Sequence, residues 1–263
     1  MKSDERRVMD VCDLRVLVTA GASGIGRAIA GAFAEAGSLV HITDIDEAAI
    51  QRALSEDTRL SASVGDASNA ADVDRAITDV GGKWDGLDVL ISNVGIAGPT
   101  GPVAAYADED VDRTIDVNLK SHFYFAKRCV PLLKASPTPS ILALSSVAGR
   151  LGYPYRAPYA ATKWAIVGMV KSLAPELGPD GIRVNAILPG VVSGPRMEDV
   201  IAERAIILGI GIEQMRQAYL ERISLRRMVD AEDVANLALF LSSPLARNIS
   251  GQAISVDGNV EYL

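Results

Sequence analysis

The chain has 263 residues, 49% hydrophobic but only 5% aromatic, enough for one large α/β domain or two small ones with an aliphatic, Ala-rich core. Its 26 basic and 33 acidic residues leave a net charge of −7 and form no basic block, which argues against nucleic acid or an anionic membrane as partner. Cys12 and Cys129 match no metal spacing, the opening MKSDERRVMDVCD has no apolar leader core, and no apolar run reaches about 18 residues. The expected location is therefore the cytoplasm, with no metal and no membrane span.

Short apolar runs alternate with amphipathic segments along the chain. Strands are expected at 14–19, 38–43, 59–64, 87–92, 140–145, 182–187 and 252–257. Helices are expected at 24–36, 46–55, 69–80, 108–135, 156–177 and 230–242. Such alternation predicts parallel strands joined by crossover helices, and near-continuous apolar strands predict a sheet covered on both faces. The expectation is a single α/β domain over 1–263, a Rossmann-type doubly wound parallel sheet of about seven strands. Residues 1–12 read as an N-terminal tail. The stretch 190–228 breaks the rhythm with helical pieces and no strand, and reads as a substrate-loop insertion.

The run VLVTAGASGIGRAIAGAFAEAG is a strand, a glycine-rich turn and an Ala-rich helix. Gly21, Gly24 and Gly26, with Ser23 and Ile25 between them, allow close backbone approach to a pyrophosphate at the helix start. Asp44 follows the second strand with no Arg beside it, which suits a ribose diol and NAD rather than a 2′-phosphate. A helix-capping role for Asp44 is compatible with that reading. Asp66, followed by Ala67, ends the third strand and reads equally as an adenine ligand or a helix N-cap. Asn93 ends the fourth strand on the same edge.

Ser146 follows the strand SILALS, and Tyr159 and Lys163 come 13 and 17 residues later. At i and i+4 of a helix, phenol and ammonium share a face. A cation lowers a phenol pKa from its ordinary value of about 10 towards the range of a usable base. Tyr159 then exchanges a proton with a substrate hydroxyl that Ser146 holds in line. Asn118 is a polar residue within a helical pattern whose direction its neighbours leave open. His41 and His122 have no metal-ligand spacing, and neither a nucleophile elbow nor a P-loop lysine motif occurs.

From about residue 10 to 260 the chain resembles a classical short-chain dehydrogenase/reductase. TAGASGIG resembles that family's glycine-rich loop, SNVG its Asn-Asn-Ala-Gly strand end, and LPGVVSG its Pro-Gly segment over the nicotinamide. The resemblance implies a catalytic tetrad of Asn118, Ser146, Tyr159 and Lys163. Tyr159 is then the acid/base, and Lys163 binds the nicotinamide ribose and tunes the tyrosine. Asn118 holds a relay water, and Val192 joins the cofactor residues. It also implies a homotetramer built on the helices at 108–135 and 156–177. The chain departs from the family's pattern at Ala20, the loop's first glycine position, where Gly21 relieves the crowding. It departs also at Ser92 and Val94 around Asn93, and at Gly194, where a threonine is usual and Ser193 stands next door.

The expected substrate is a small polar secondary alcohol, such as a sugar, sugar acid or hydroxy acid. Arg150, Arg156 and Arg196 are candidate anion grips, against the alternative of solvated surface. Three functions are weighed: an NAD-dependent dehydrogenase, an NADPH-dependent 3-oxoacyl-type ketone reductase, and a non-catalytic cofactor sensor or scaffold.

Overall fold

The computed structural model describes residues 9–262. Seven parallel strands form one sheet in the order β3-β2-β1-β4-β5-β6-β7. They are β1 (Arg15–Thr19), β2 (Leu39–Asp44), β3 (Leu60–Val64), β4 (Val89–Ser92), β5 (Ser140–Leu144), β6 (Arg183–Pro189) and β7 (Ala253–Val256). The central apolar runs form strands covered on both faces: every residue of β4 and β5 is buried, while the edge strands β3 and β7 are partly exposed.

Helices α1 (Gly24–Glu35), α2 (Glu47–Glu56) and α9 (Ala231–Ser242) cover one face through Ile29, Phe33, Ile50, Val234 and Leu241. Helices α3 (Ala70–Lys83), α5 (Ser121–Leu133) and α6 (Ala157–Leu177) cover the other through Val80, Phe125, Cys129, Ile166 and Val170. Strand order reverses between β1 and β4, so the carboxyl ends of these strands open onto the crevice where such sheets bind ligands.

The helix expected over 108–135 is interrupted. Helix α4 (Asp108–Ile115) passes through a π turn (Asp116–Lys120) before α5 begins. The cause is visible at Asn118, which is fully buried rather than facing solvent. Its carboxamide binds the backbone of Ile96 in both directions, and a π turn accommodates the reorientation.

The stretch 190–228 contains α7 (Pro195–Leu208) and α8 (Ile212–Glu221). Ile201, Ala205, Met215, Tyr219 and Ile223 pack there with Val147, Val191 and Val260 as a third apolar cluster. A parallel bridge between Val192 and Val229 closes its base. Residues 1–8 of the expected tail lie outside the described residues, while Val11 is buried and its carbonyl accepts from the Ser38 hydroxyl at 2.6 Å.

Candidate active site

The glycine-rich turn sits at the carboxyl end of β1. Ala20 itself takes φ +49°, the left-handed region that favours glycine, so the strain expected there is not relieved by Gly21. Gly21 instead fills a packing role, since a Cβ would lie 2.8 Å from Ile42. At Gly26 a Cβ would come within 2.1 Å of the Ala20 carbonyl oxygen and 2.6 Å of Asn93 Nδ2. Gly24 is different: it has φ +52° and open space where its Cβ would be. Ser23 precedes α1 without using its side chain as a cap, and no acidic residue stands in the first turn. That leaves free helix-start N–H groups beside a bare backbone, a set that fits the pyrophosphate of a dinucleotide.

Asn93 supports this turn from beneath. Its Nδ2 donates to the carbonyls of Thr19 (3.2 Å) and Ala20 (3.1 Å), and its N–H donates to Thr19 Oγ1 at 2.9 Å. Asp44 accepts from the Ala22 N–H at 3.1 Å and from the Asp46 N–H at 3.2 Å. The cap of α2 is Asp46, whose carboxylate accepts from Ala49 N–H. Asp66 is not an N-cap either: Asn69 caps α3, while Asp66 binds Ser68 and pairs with Arg113 at 3.2 Å. Burial raises its pKa, but the Ser68 hydrogen bonds and Arg113 outweigh this and hold it below the ordinary carboxylate value. Ala67 lies next to it, partly buried.

A cavity of about 470 Å³ runs from Ser23, Gly24, Ile25 and Asn93 to Ser146, Tyr159, Lys163, Val192 and Arg196. The start of α6 brings Tyr159 and Lys163 to its floor, and the segment after β5 brings Ser146. Lys163 Nζ is 5.7 Å from the Tyr159 ring centroid and donates to the Leu144 carbonyl at 2.8 Å. Burial pushes the lysine down to about 8; Tyr159 opposes that and Arg196 adds to it. For Tyr159, burial alone pushes the phenol up. Lys163, then Arg196, the Ser146 hydroxyl and Arg156 more than reverse this, so the phenol lies below its ordinary value. Asn118 stands behind this group, with Nδ2 also 3.3 Å from Thr162 Oγ1. Ser146, Tyr159 and Lys163 thus meet at the cavity, with Asn118 behind them.

The arginines divide. Arg156 and Arg196 line the cavity, but Arg150 does not: it pairs with Asp257 at 2.7 Å and donates to the Val260 carbonyl at 3.2 Å. It leaves the candidate set because its charge is already met inside the fold. Ser193 donates to Asp230 at 2.8 Å, so its hydroxyl is engaged away from the position of the missing threonine. Two residues not singled out from the sequence, Arg204 and Tyr219, stand behind the cavity wall in contact with Tyr153. No sequence signal marks them, since their contacts join residues 15 to 66 positions apart.

The family model described as enoyl-(acyl carrier protein) reductase matches residues 19–260. A tropinone reductase homolog from Arabidopsis thaliana is 35% identical over 252 residues, 94% of this chain and 79% of that protein. The crystal structure of levodione reductase superposes with a TM-score of 0.88 at 25% identity, covering 94% of this chain and 97% of that one. A 3-ketoacyl-(acyl-carrier-protein) reductase from Brucella melitensis, complexed with NADH, superposes with a TM-score of 0.84 at 30% identity, covering 95% and 98%. With the glycine-rich turn, the Ser-Tyr-Lys geometry and the sheet order all in place, the chain belongs to the short-chain dehydrogenase/reductase family of oxidoreductases.

Proposed function

We propose that the protein is an NAD-dependent oxidoreductase that interconverts a secondary alcohol and its ketone, with a small polar hydroxy compound as substrate. The observation that carries this reading is the convergence of Ser146, Tyr159 and Lys163 at the floor of a cavity that begins at the glycine-rich turn. Ser23, Gly24 and Ile25 hold the pyrophosphate, Asp44 the adenosine ribose, and Lys163 and Val192 the nicotinamide end. Asp66, Ala67 and Asn93 flank the adenosine side along the same sheet edge. A nicotinamide cofactor bound there supplies the hydride acceptor or donor.

The chain's own groups manage the proton. Ser146 orients the substrate oxygen by a hydrogen bond. Tyr159 takes the hydroxyl proton in oxidation and returns it in reduction, and Lys163 stabilises the phenolate between these events. The buried setting strengthens that cation's effect relative to water. Asn118 anchors the 94–97 segment that borders the cavity.

The preference for NAD rests on Asp44, whose carboxylate stands at the end of β2 with Ile45 and Asp46 after it rather than a basic residue. The relative solved with NADH is consistent with it. Exposed Ile115, Phe123 and Trp164 on or beside α4, α5 and α6 support a homotetramer built on the long helices.

Fluorescence titration with NADH and NADPH tests the reading. NADH is expected to bind at least about tenfold more tightly, a difference of about 1.4 kcal/mol, and Asp44→Ala to narrow the gap. A preference for NADPH overturns the role of Asp44 and favours ketone reduction. Binding of neither overturns the enzyme reading.

A further inference from the structure

Arg156 is only 3% exposed, yet no carboxylate meets it among the described residues. Its Nη2 donates to the Ala97 carbonyl at 2.7 Å, and its buried Nε has no partner. The guanidinium lies over the rings of Tyr153 (5.1 Å) and Tyr159 (4.8 Å). Arg204, also 3% exposed, lies over Tyr153 (5.1 Å) and Tyr219 (5.3 Å), and donates to the Tyr219 hydroxyl at 2.7 Å. That hydroxyl in turn meets the Tyr153 hydroxyl at 2.7 Å. A run of cation–ring contacts therefore links Arg204, Tyr153, Arg156, Tyr159 and Lys163, from the helices of the 190–228 stretch to the reacting phenol.

Ring faces offset only part of what it costs to bury a cation, and a paired anion is the ordinary remedy. The protein supplies none here. The cavity wall carries Arg156, Lys163 and Arg196 and not one Asp or Glu, in a chain with seven more acidic than basic residues. Arg196 is exposed at the mouth and donates to the Gly95 carbonyl at 3.0 Å across the cavity. A guanidinium that lines the cavity, keeps an unpartnered Nε and is fixed by two rings is a fork for a planar oxyanion.

We propose that Arg156, assisted by Arg196, is the receptor for a carboxylate on the substrate, so that the substrate is a short hydroxy or keto acid. Because the guanidinium lies over the very ring that exchanges the proton, the carboxylate and the reacting carbon are a few bonds apart. This proposal rests on the oxidoreductase reading above and narrows its substrate class. The Tyr153–Tyr219–Arg204 group holds the stack in place from behind and is a positioning set.

Calorimetric titration of the protein, with and without NADH, uses malonate as a charged probe and malonamide as its neutral counterpart. Malonate is expected to bind wild type at least about tenfold more tightly than malonamide does, and Arg156→Gln to abolish the difference. Arg156→Lys keeps the charge and loses the fork, so it should restore part of it. In turnover, acetoacetate is expected to exceed methyl acetoacetate by about 100-fold in kcat/KM with wild type. That ratio should fall below about ten in Arg156→Gln, mainly through KM. Equal binding of malonate and malonamide to wild type overturns the proposal without any variant having to fold. So does an acid-to-ester ratio that Arg156→Gln leaves intact. Loss of the oxidoreductase reading shows separately, as absence of binding of either nicotinamide cofactor.

Discussion

A phenol half-buried in a cavity wall, as Tyr159 is, would by itself hold its proton more tightly than a free one, because the charged form loses part of its water. The surroundings reverse that: Lys163 contributes most, followed by Arg196, the Ser146 hydroxyl and Arg156. The sign of the pH dependence follows. With the folded pKa below the ordinary tyrosine value, phenolate forms at lower pH than in a free tyrosine. On the proposed reaction, alcohol oxidation therefore rises with pH and levels off below pH 10, while ketone reduction falls across the same window. Lys163→Met removes the largest favourable charge and should move the oxidation limb to higher pH by at least about one unit, or about tenfold in rate at pH 7. Initial rates between pH 6 and 10 check this, and an unmoved limb assigns proton transfer to another group. Residue identity made Tyr159, Ser146 and Lys163 legible in the sequence, because their spacing is local or set by one strand-to-helix step. Arg150 and Arg156 looked alike there, six positions apart. Only the fold shows Asp257 beside one and two tyrosine rings beside the other.

At the scale of elements, the strands and most helices were legible because each announces itself by apolar periodicity over its own length. The break in the 108–135 helix was not, since Asp116–Lys120 keeps a helical pattern and the cause lies 22 residues away in sequence, at Ile96. Asn118 Oδ1 accepts the Ile96 N–H at 2.7 Å, and its Nδ2 donates to the Ile96 carbonyl at 3.0 Å. The segment so held includes Ala97, whose carbonyl anchors Arg156, and Gly95, whose carbonyl takes Arg196. Removing the carboxamide leaves two main-chain groups without partners, each worth about 1–3 kcal/mol if water does not reach it. Asn118→Ala should therefore lower the urea unfolding free energy by about 2–4 kcal/mol and weaken turnover as the 94–97 segment shifts. An unchanged denaturation midpoint would show that the π turn persists without its anchor. The same long-range logic hid Arg204 and Tyr219, which lie on α7 and α8 of the 190–228 stretch and whose inward faces no periodicity could identify.

Across the whole molecule, two buried histidines, His41 on β2 and His122 on α5, are expected to set the acid stability. His122 is fully buried, with Nδ1 at 2.8 Å from Ser92 Oγ and Nε2 at 3.2 Å from the Val94 carbonyl. Burial, with Lys163 nearby, lowers its pKa to about 3, against a small opposing effect of the Val94 carbonyl. His41 lies between Ser61 (2.8 Å) and Ser63 (2.9 Å), edge-on to Trp84. Burial first, then Lys83, lowers it to about 4, with Asp79 opposing. In the unfolded chain both titrate near 6.5. Below that pH the unfolded state takes up protons that the folded state refuses, so stability falls as pH drops from 6.5 towards 4. Each histidine contributes about 1.4 kcal/mol per pH unit, or about 2 kcal/mol between pH 7 and pH 5. The pair together removes about 4 kcal/mol from a total that is typically about 5–15 kcal/mol. Carboxylates contribute little in this window, because the perturbed ones, such as Asp57, Asp66 and Asp88, are lowered in the folded state and so are ionised in both states above pH 5. Urea denaturation at pH 7 and pH 5 measures the drop. His122→Gln costs stability at both values but should lose about half of the difference between them, because it keeps a buried polar side chain and removes the proton site. An undiminished drop in that variant would place the acid sensitivity in other groups.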